Sequence, residues 1–307
     1  MELEDPRPSF FSSIAIDKCH INLSPHKVFL FGGKMDGDIK TVRSLLYNHI
    51  LCKNQTLFNS LVIVEEFKDW LHDSIYPDLL TFESDLAETA SLVVISLESA
   101  GAIAELGSFS VNSKLKDKTV IVICDEHHNQ DSYIKLGPLR QLKDENILSY
   151  PYQYQDLEES LTEHLEDIVD TLVEKLDKND KSEKFNPHNN GHIAFLIHDL
   201  ILTCKVLILK EIKLYLKTLG IDRNAHEIQR LIFLLRKLDL IKEERRGHTT
   251  YYVLADNKAT KRVSFSSEDE TIIDRSSATM ASIRYYHTAK KEKRRLNVLA
   301  TLVSEAE

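Results

Sequence analysis

LVVISLESAGAIAELGSF, residues 92–109, runs from a continuous apolar stretch through a polar turn into a helical pattern. Leu92–Ser96 has the β-branched density of a strand buried on both faces, and Gly101–Asn112 carries apolar residues at helical spacing. In this reading Gly101 makes a sharp turn, the free N–H groups of the helix face the strand end, and Gly107 permits close packing on the sheet. Glu105 then projects from the first turns of the helix into a cleft, where its carboxylate suits a cationic or electron-poor centre.

Similar units lie on either side. KVFLF (Lys27–Phe31) ends in Gly32-Gly33 and precedes a helical pattern from Ile39 to Cys52, with Asp36 and Asp38 as N-cap candidates. SLVIV (Ser60–Val64) is a further strand, and Asp78–Ala90 a helix carrying Glu83, Asp85 and Glu88. TVIVIC (Thr119–Cys124) and Ile147–Tyr150 are strands before a helix over Leu157–Leu176. Apolar strands alternating with helices predict a doubly wound parallel α/β sheet over residues 26–178, with ligands at the carboxyl ends of the strands.

The remaining chain has a different character. Residues 1–25 read as an irregular arm and 179–191 as a linker. His192–Leu202, Leu207–Leu219 and Asn224–Leu238 read as helices, followed by a hairpin whose tip is Arg245-Arg246-Gly247-His248. Three helices and a basic-tipped hairpin over 192–255 predict a winged helix. Residues 256–307 read as a basic, partly disordered tail containing RYYHTAKKEKRR, Arg284–Arg295.

Composition narrows the function. At 42% hydrophobic and 28% charged, the sequence has ample apolar residues for a core. No apolar run approaches the roughly 20 residues of a membrane span. The N-terminus resembles no leader peptide, so the expected location is cytoplasmic. The four cysteines are far apart, and His127-His128 sits in a polar loop with no further ligand at metal spacing, so no metal is expected. Residues 188–307 hold 21 Lys+Arg against 15 Asp+Glu, although the whole chain is −9. That basic part points to nucleic acid, with Arg223, Arg230, Arg236, Arg245 and Arg246 as phosphate contacts, or else to a docked protein. Tyr285 and Tyr286 beside the basic run offer stacking on single-stranded bases.

The FGG turn, the run E-x-D-L-A-E-T-A, and S-x-E-S-x-G-x-x-x-E-L-G-x-F together resemble nucleoside 2′-deoxyribosyltransferases. They are most similar to the deoxyribosyltransferase-like effector toxins found beside retron reverse transcriptases. The LGPLR motif, Leu136–Arg140, and the appended winged helix fit the same group. The resemblance implies that Glu105 attacks the anomeric carbon of a nucleotide, with Glu98, Glu83 or Asp85 assisting the departing base. Read from the residues themselves, Gly32 and Gly33 let backbone amides approach a phosphate or sugar, or simply form a strand-end turn, and Arg140 pairs with a phosphate or with surface carboxylates. Ser99 and Gly101 complete the expected substrate-binding set. Ser99 stands where such transferases often carry an aspartate, which favours hydrolysis over base exchange. NAD+ is the leading substrate, no cofactor is expected, and the implied partners are the reverse transcriptase and its multicopy single-stranded DNA (msDNA). A homo-oligomer completing its sites across subunits also fits the resemblance. Two alternatives stay open: a nucleotide-sensing DNA-binding regulator without turnover, and a structural adaptor for the reverse transcriptase.

Overall fold

The computed structural model describes residues 4–35, 39–64, 75–178, 182–256 and 259–304. Their contacts form two units: one takes residues 23–35, 39–64 and 78–178, and the other 4–22, 75–77, 182–256 and 259–304.

The first unit contains β1 (Val28–Phe31), α1 (Val42–Lys53), β2 (Leu61–Val62), α2 (Leu79–Glu88), β3 (Leu92–Ser96), α3 (Ala100–Ser110), β4 (Thr119–Cys124), β5 (Ile147–Tyr150) and α4 (Leu165–Lys178). The five strands are all parallel, in the order β2-β1-β3-β4-β5. Val28, Leu30, Leu92, Val94, Val120 and Val122 turn to one face and pack against α1 and α4. The alternate residues are buried too, with Phe31 set edge-on to Phe109 of α3 at 5.4 Å. Helices therefore cover both faces, which is why these strands read as unbroken apolar runs. Right-handed crossovers put α2 and α3 on the same face, opposite α1 and α4. Strand order reverses between β1 and β3, the place where ligands bind in open parallel sheets.

Several boundaries differ from expectation. Ile39 is 84% exposed, and α1 starts three residues later behind a Thr41–Ser44 capping box. Asp36 and Asp38 lie outside the described residues; the N-cap is Thr41. The predicted 157–176 helix is two, Leu157–Thr162 and α4. His127 and His128 sit on a short helix, Asp125–Asn129.

In the second unit, α5 (Asn190–Cys204), α6 (Leu209–Thr218) and α7 (Ala225–Lys237) precede an antiparallel hairpin of β6 (Ile241–Arg246) and β7 (Thr249–Leu254). Leu207, between α5 and α6, bridges Tyr252 and adds a third edge to the hairpin. The terminal segments differ most from the sequence reading. The expected irregular arm holds a helix, Arg7–Ser12, and a strand, His20–Asn22. That strand lies between Ser182–Lys184 of the expected linker and Val263–Ser264 of the expected tail, antiparallel to both. Strands of two or three residues are too short to show alternation, and their partners lie far off in sequence. The tail continues as α8 (Ser276–Thr288) and α9 (Lys293–Ser304). Tyr285 and Tyr286 are buried, so they offer no free ring faces for bases. Arg295, from the basic run of the expected tail, is 3% exposed.

Candidate active site at the carboxyl edge

The turns after β1 and β3 are joined by one side chain. Glu98 accepts backbone N–H bonds from Gly33 (2.9 Å) and Arg43 (3.0 Å) at Oε1, and from Val42 (2.6 Å) at Oε2. It thus caps α1 from across the sheet and fixes the FGG turn, a duty the sequence reading did not anticipate. The glycines are the condition for this approach. A Cβ on Gly33 would lie 2.8 Å from Thr41 Cγ2 and 3.0 Å from Glu98 Oε1; one on Gly32, at φ +151°, would lie 2.9 Å from Ser96 Cβ. The Gly33 amide therefore serves Glu98, not a phosphate as the sequence reading allowed.

Ser99 is the N-cap of α3: its Oγ accepts from the Ala102 N–H at 3.1 Å and donates to the Gly32 carbonyl at 3.4 Å. The chain turns at 97–99, so Gly101 is not the turn residue. A Cβ there would meet only Ser99 Oγ, at 3.8 Å. A Cβ on Gly107 would meet nothing within 4 Å among the described residues, so close packing does not demand that glycine either.

Glu105 lies further along α3, half-buried, with Oε2 fully shielded from solvent. On the neighbouring helix α2, Glu83 and Asp85 are buried, at 9% and 3% exposure. Glu88 of the same helix accepts from Lys114 Nζ at 2.8 Å. Arg43 escaped the sequence reading altogether. It is 1% exposed, beneath the FGG turn, and its Nη1 donates to the Gly33 carbonyl at 3.4 Å. The only sequence signal for it is a charged residue at an inward-facing position of α1.

A cavity of about 520 Å³ opens beside the same turn, on the β4 side. Leu97, Ile103 and Ile123 form apolar walls, and Glu98, Ser99 and Gln130 supply polar groups. The His127 and Tyr154 rings stack at its rim, 5.7 Å apart and 30° from parallel. Burial, then the neighbouring Glu98 and Cys124, raises the Tyr154 hydroxyl above its ordinary range, with the Tyr152 hydroxyl opposing. Glu105 and Arg140 do not line this cavity, and Arg140 is exposed on a turn at Leu139–Gln141. The structure brings Glu98, Ser99, Gly32 and Gly33 together and leaves Arg140 apart. Among the described residues, no group of three or more His, Cys, Asp or Glu side chains is placed to hold a metal ion.

The five arginines of the second unit are largely engaged. Arg223 pairs with Glu227 (3.7 Å), Arg236 with Glu243 (3.1 Å) and Arg246 with Glu244 (3.2 Å). The Arg230 guanidinium lies over the Tyr76 ring at 5.6 Å. Arg245 is exposed at the hairpin tip. No helix among the described residues is long and apolar enough to cross a membrane.

These features define an α/β protein with an acidic, partly shielded site at the carboxyl edge of a five-stranded parallel sheet. The chain belongs to the STM3845 retron effector protein family, whose pattern matches residues 39–243. It is also similar to two Escherichia coli proteins of retrons Ec73 and Ec86, both provisionally named as ribosyltransferase/DNA-binding proteins. Identity is 30% to each, over 50% of this chain and 53% of the Ec73 protein, and over 40% and 39% for Ec86. The chain thus spans about half the length of the first relative and less of the second.

Proposed function

We propose that this protein is a retron effector toxin that cleaves the N-glycosidic bond of a nucleotide, with NAD+ as the leading substrate. The observation that carries the reading is Glu105, half-buried on the helix that leaves the β1–β3 reversal point, within a chain of the retron effector family. The names of the Ec73 and Ec86 relatives fit a glycosyl-transfer chemistry. A Glu105 carboxylate oxygen bonds to C1′ as the C1′–N bond breaks, and the bonding pair leaves with the base. From a nicotinamide ribosyl group the base departs neutral, without a proton. Water then opens the glycosyl ester, its proton passing to a carboxylate, with Asp85 and Glu83 on the neighbouring helix as the acceptors. Glu98, whose oxygens are held by three backbone N–H groups, positions the turn instead of donating a proton.

The order helix, bridge, helix, helix, hairpin in the second unit fits a winged helix. We assign it the contact with msDNA or the reverse transcriptase, which holds the toxin silent until phage attack. Glu105→Gln keeps the shape and removes the nucleophile. It should lower nicotinamide release by at least about 1,000-fold and abolish growth arrest. Arrest that persists in that variant overturns the enzymatic reading and favours a ligand-sensing regulator.

A further inference from the structure

We infer that the cavity on the β4 side is a second small-molecule site, separate from Glu105, that takes a planar, phosphate-free heteroaromatic ligand of base or nucleoside type. Its volume of about 520 Å³ lies within the roughly 300–1,000 Å³ of small-molecule sites. Its composition is that of such sites as well, with apolar walls and a few polar groups at the rim.

The geometry separates it from the nucleophile. Ala100 and Ile103 of α3 line the cavity and Glu105 does not. At about 100° per residue, Glu105 points some 200° around the helix from Ile103. Ile103 and Tyr154 are 44% and 41% exposed, large apolar groups left open at the cavity instead of in the core. His127 and Tyr154, two aromatic rings stacked 5.7 Å apart, both line the cavity, and aromatic rings favour a flat ligand over a saturated one. Gln130 offers both a donor and an acceptor for ring-edge groups.

Charge selects further. The Glu98 carboxylate lines the cavity, held by three neutral amides, and no Lys or Arg is among the described lining residues, the Arg43 guanidinium being buried beneath the turn. The carboxylate attracts ring N–H groups and repels phosphate. Because Glu98 also fixes the FGG turn, a ligand engaging it acts on the same turn that borders α3.

The test is calorimetric titration of the purified full chain with adenosine, nicotinamide and AMP, and with cyclohexanecarboxamide as the saturated control. Wild type and Glu105→Gln should bind adenosine or nicotinamide equally, AMP at least tenfold more weakly than adenosine, and the saturated amide not at all. Ile103→Trp fills the cavity from an exposed position and should weaken binding at least tenfold while the circular dichroism spectrum is unchanged. The proposal is overturned if neither heteroaromatic binds, if Glu105→Gln removes binding, if Ile103→Trp leaves it intact, or if AMP matches adenosine. Failure of the catalytic reading is seen separately, as nicotinamide release or arrest that survives Glu105→Gln.

Discussion

Glu98 and Glu211 each accept from a backbone N–H at the start of a helix, one at the rim of a cavity and the other within an ionic core. Glu98 is held by three neutral amides. Glu211 accepts from the Ile208 N–H at 3.0 Å, but it also meets Arg295 at 2.7 Å and Arg7 at 2.9 Å. Arg7 adds Asp5 and the Tyr286 hydroxyl, and Arg295 adds Glu292 and the Val206 carbonyl. The difference teaches where charge is available to a ligand. At the carboxyl edge Glu98 is held by neutral amides beside an open cavity. In the second unit, Arg7, Arg262, Arg275 and Arg295 are all 4% exposed or less, so three of the 21 basic residues counted over 188–307 are internal.

The largest stability effect should therefore come from Glu211→Ala. Removing one carboxylate strips a partner from two buried guanidinium groups at once, and breaking a buried pair costs about 3–5 kcal/mol. Urea unfolding should show a loss in that range. A change below about 1 kcal/mol would mean that Asp5 and Glu292 already suffice, and the contrast with Glu98 would fail.

A smaller effect is expected from acid. Asp199 is fully buried; burial raises its pKa, but the His198 bond at 2.8 Å and the Arg275 guanidinium at 2.6 Å hold the carboxyl below its ordinary value. It also accepts from the backbone N–H groups of Arg262 and Val263, which anchors the strand at Val263–Ser264. A depressed folded-state pKa means that the stabilisation is present above the unfolded value, about 3.9, and is lost as pH falls through the folded one. Melting temperature should hold from neutrality to about pH 4 and drop below it. In Asp199→Asn this acid dependence should flatten.

What the sequence made legible follows from the same contrast. The strands of the first unit announce themselves because both their faces are buried, so Val, Ile and Leu run unbroken. Glu98's role depends on two turns brought together by neighbouring parallel strands, and only the paired glycines at 32–33 hinted at a close approach. The arm, linker and tail were misread because their strands are two or three residues long. Arg7 and Arg295 became structural only when Glu211, Tyr286 and each other were near, a convergence that no local pattern encodes.

The smallest effect should belong to Glu98, and it sharpens the comparison most. Glu98→Ala leaves the amides of the buried Gly33, Val42 and Arg43 without their acceptor, but Glu98 itself is half-exposed at the cavity, so its removal opens a path for water to these amides. The cost should be that of a lost helix cap, about 1–2 kcal/mol. Glu98→Gln keeps one carbonyl acceptor and loses only the favourable charge at the start of α1, about 0.3–1 kcal/mol. Denaturant unfolding gives the ranking, and hydrogen exchange at Val42 and Arg43 reports the cap directly, with faster exchange in the alanine variant than in the glutamine one. Should Glu98→Ala cost as much as Glu211→Ala, the carboxyl-edge turn would be as tightly built as the ionic core. Its acidic groups would then owe their places to stability and not to a ligand.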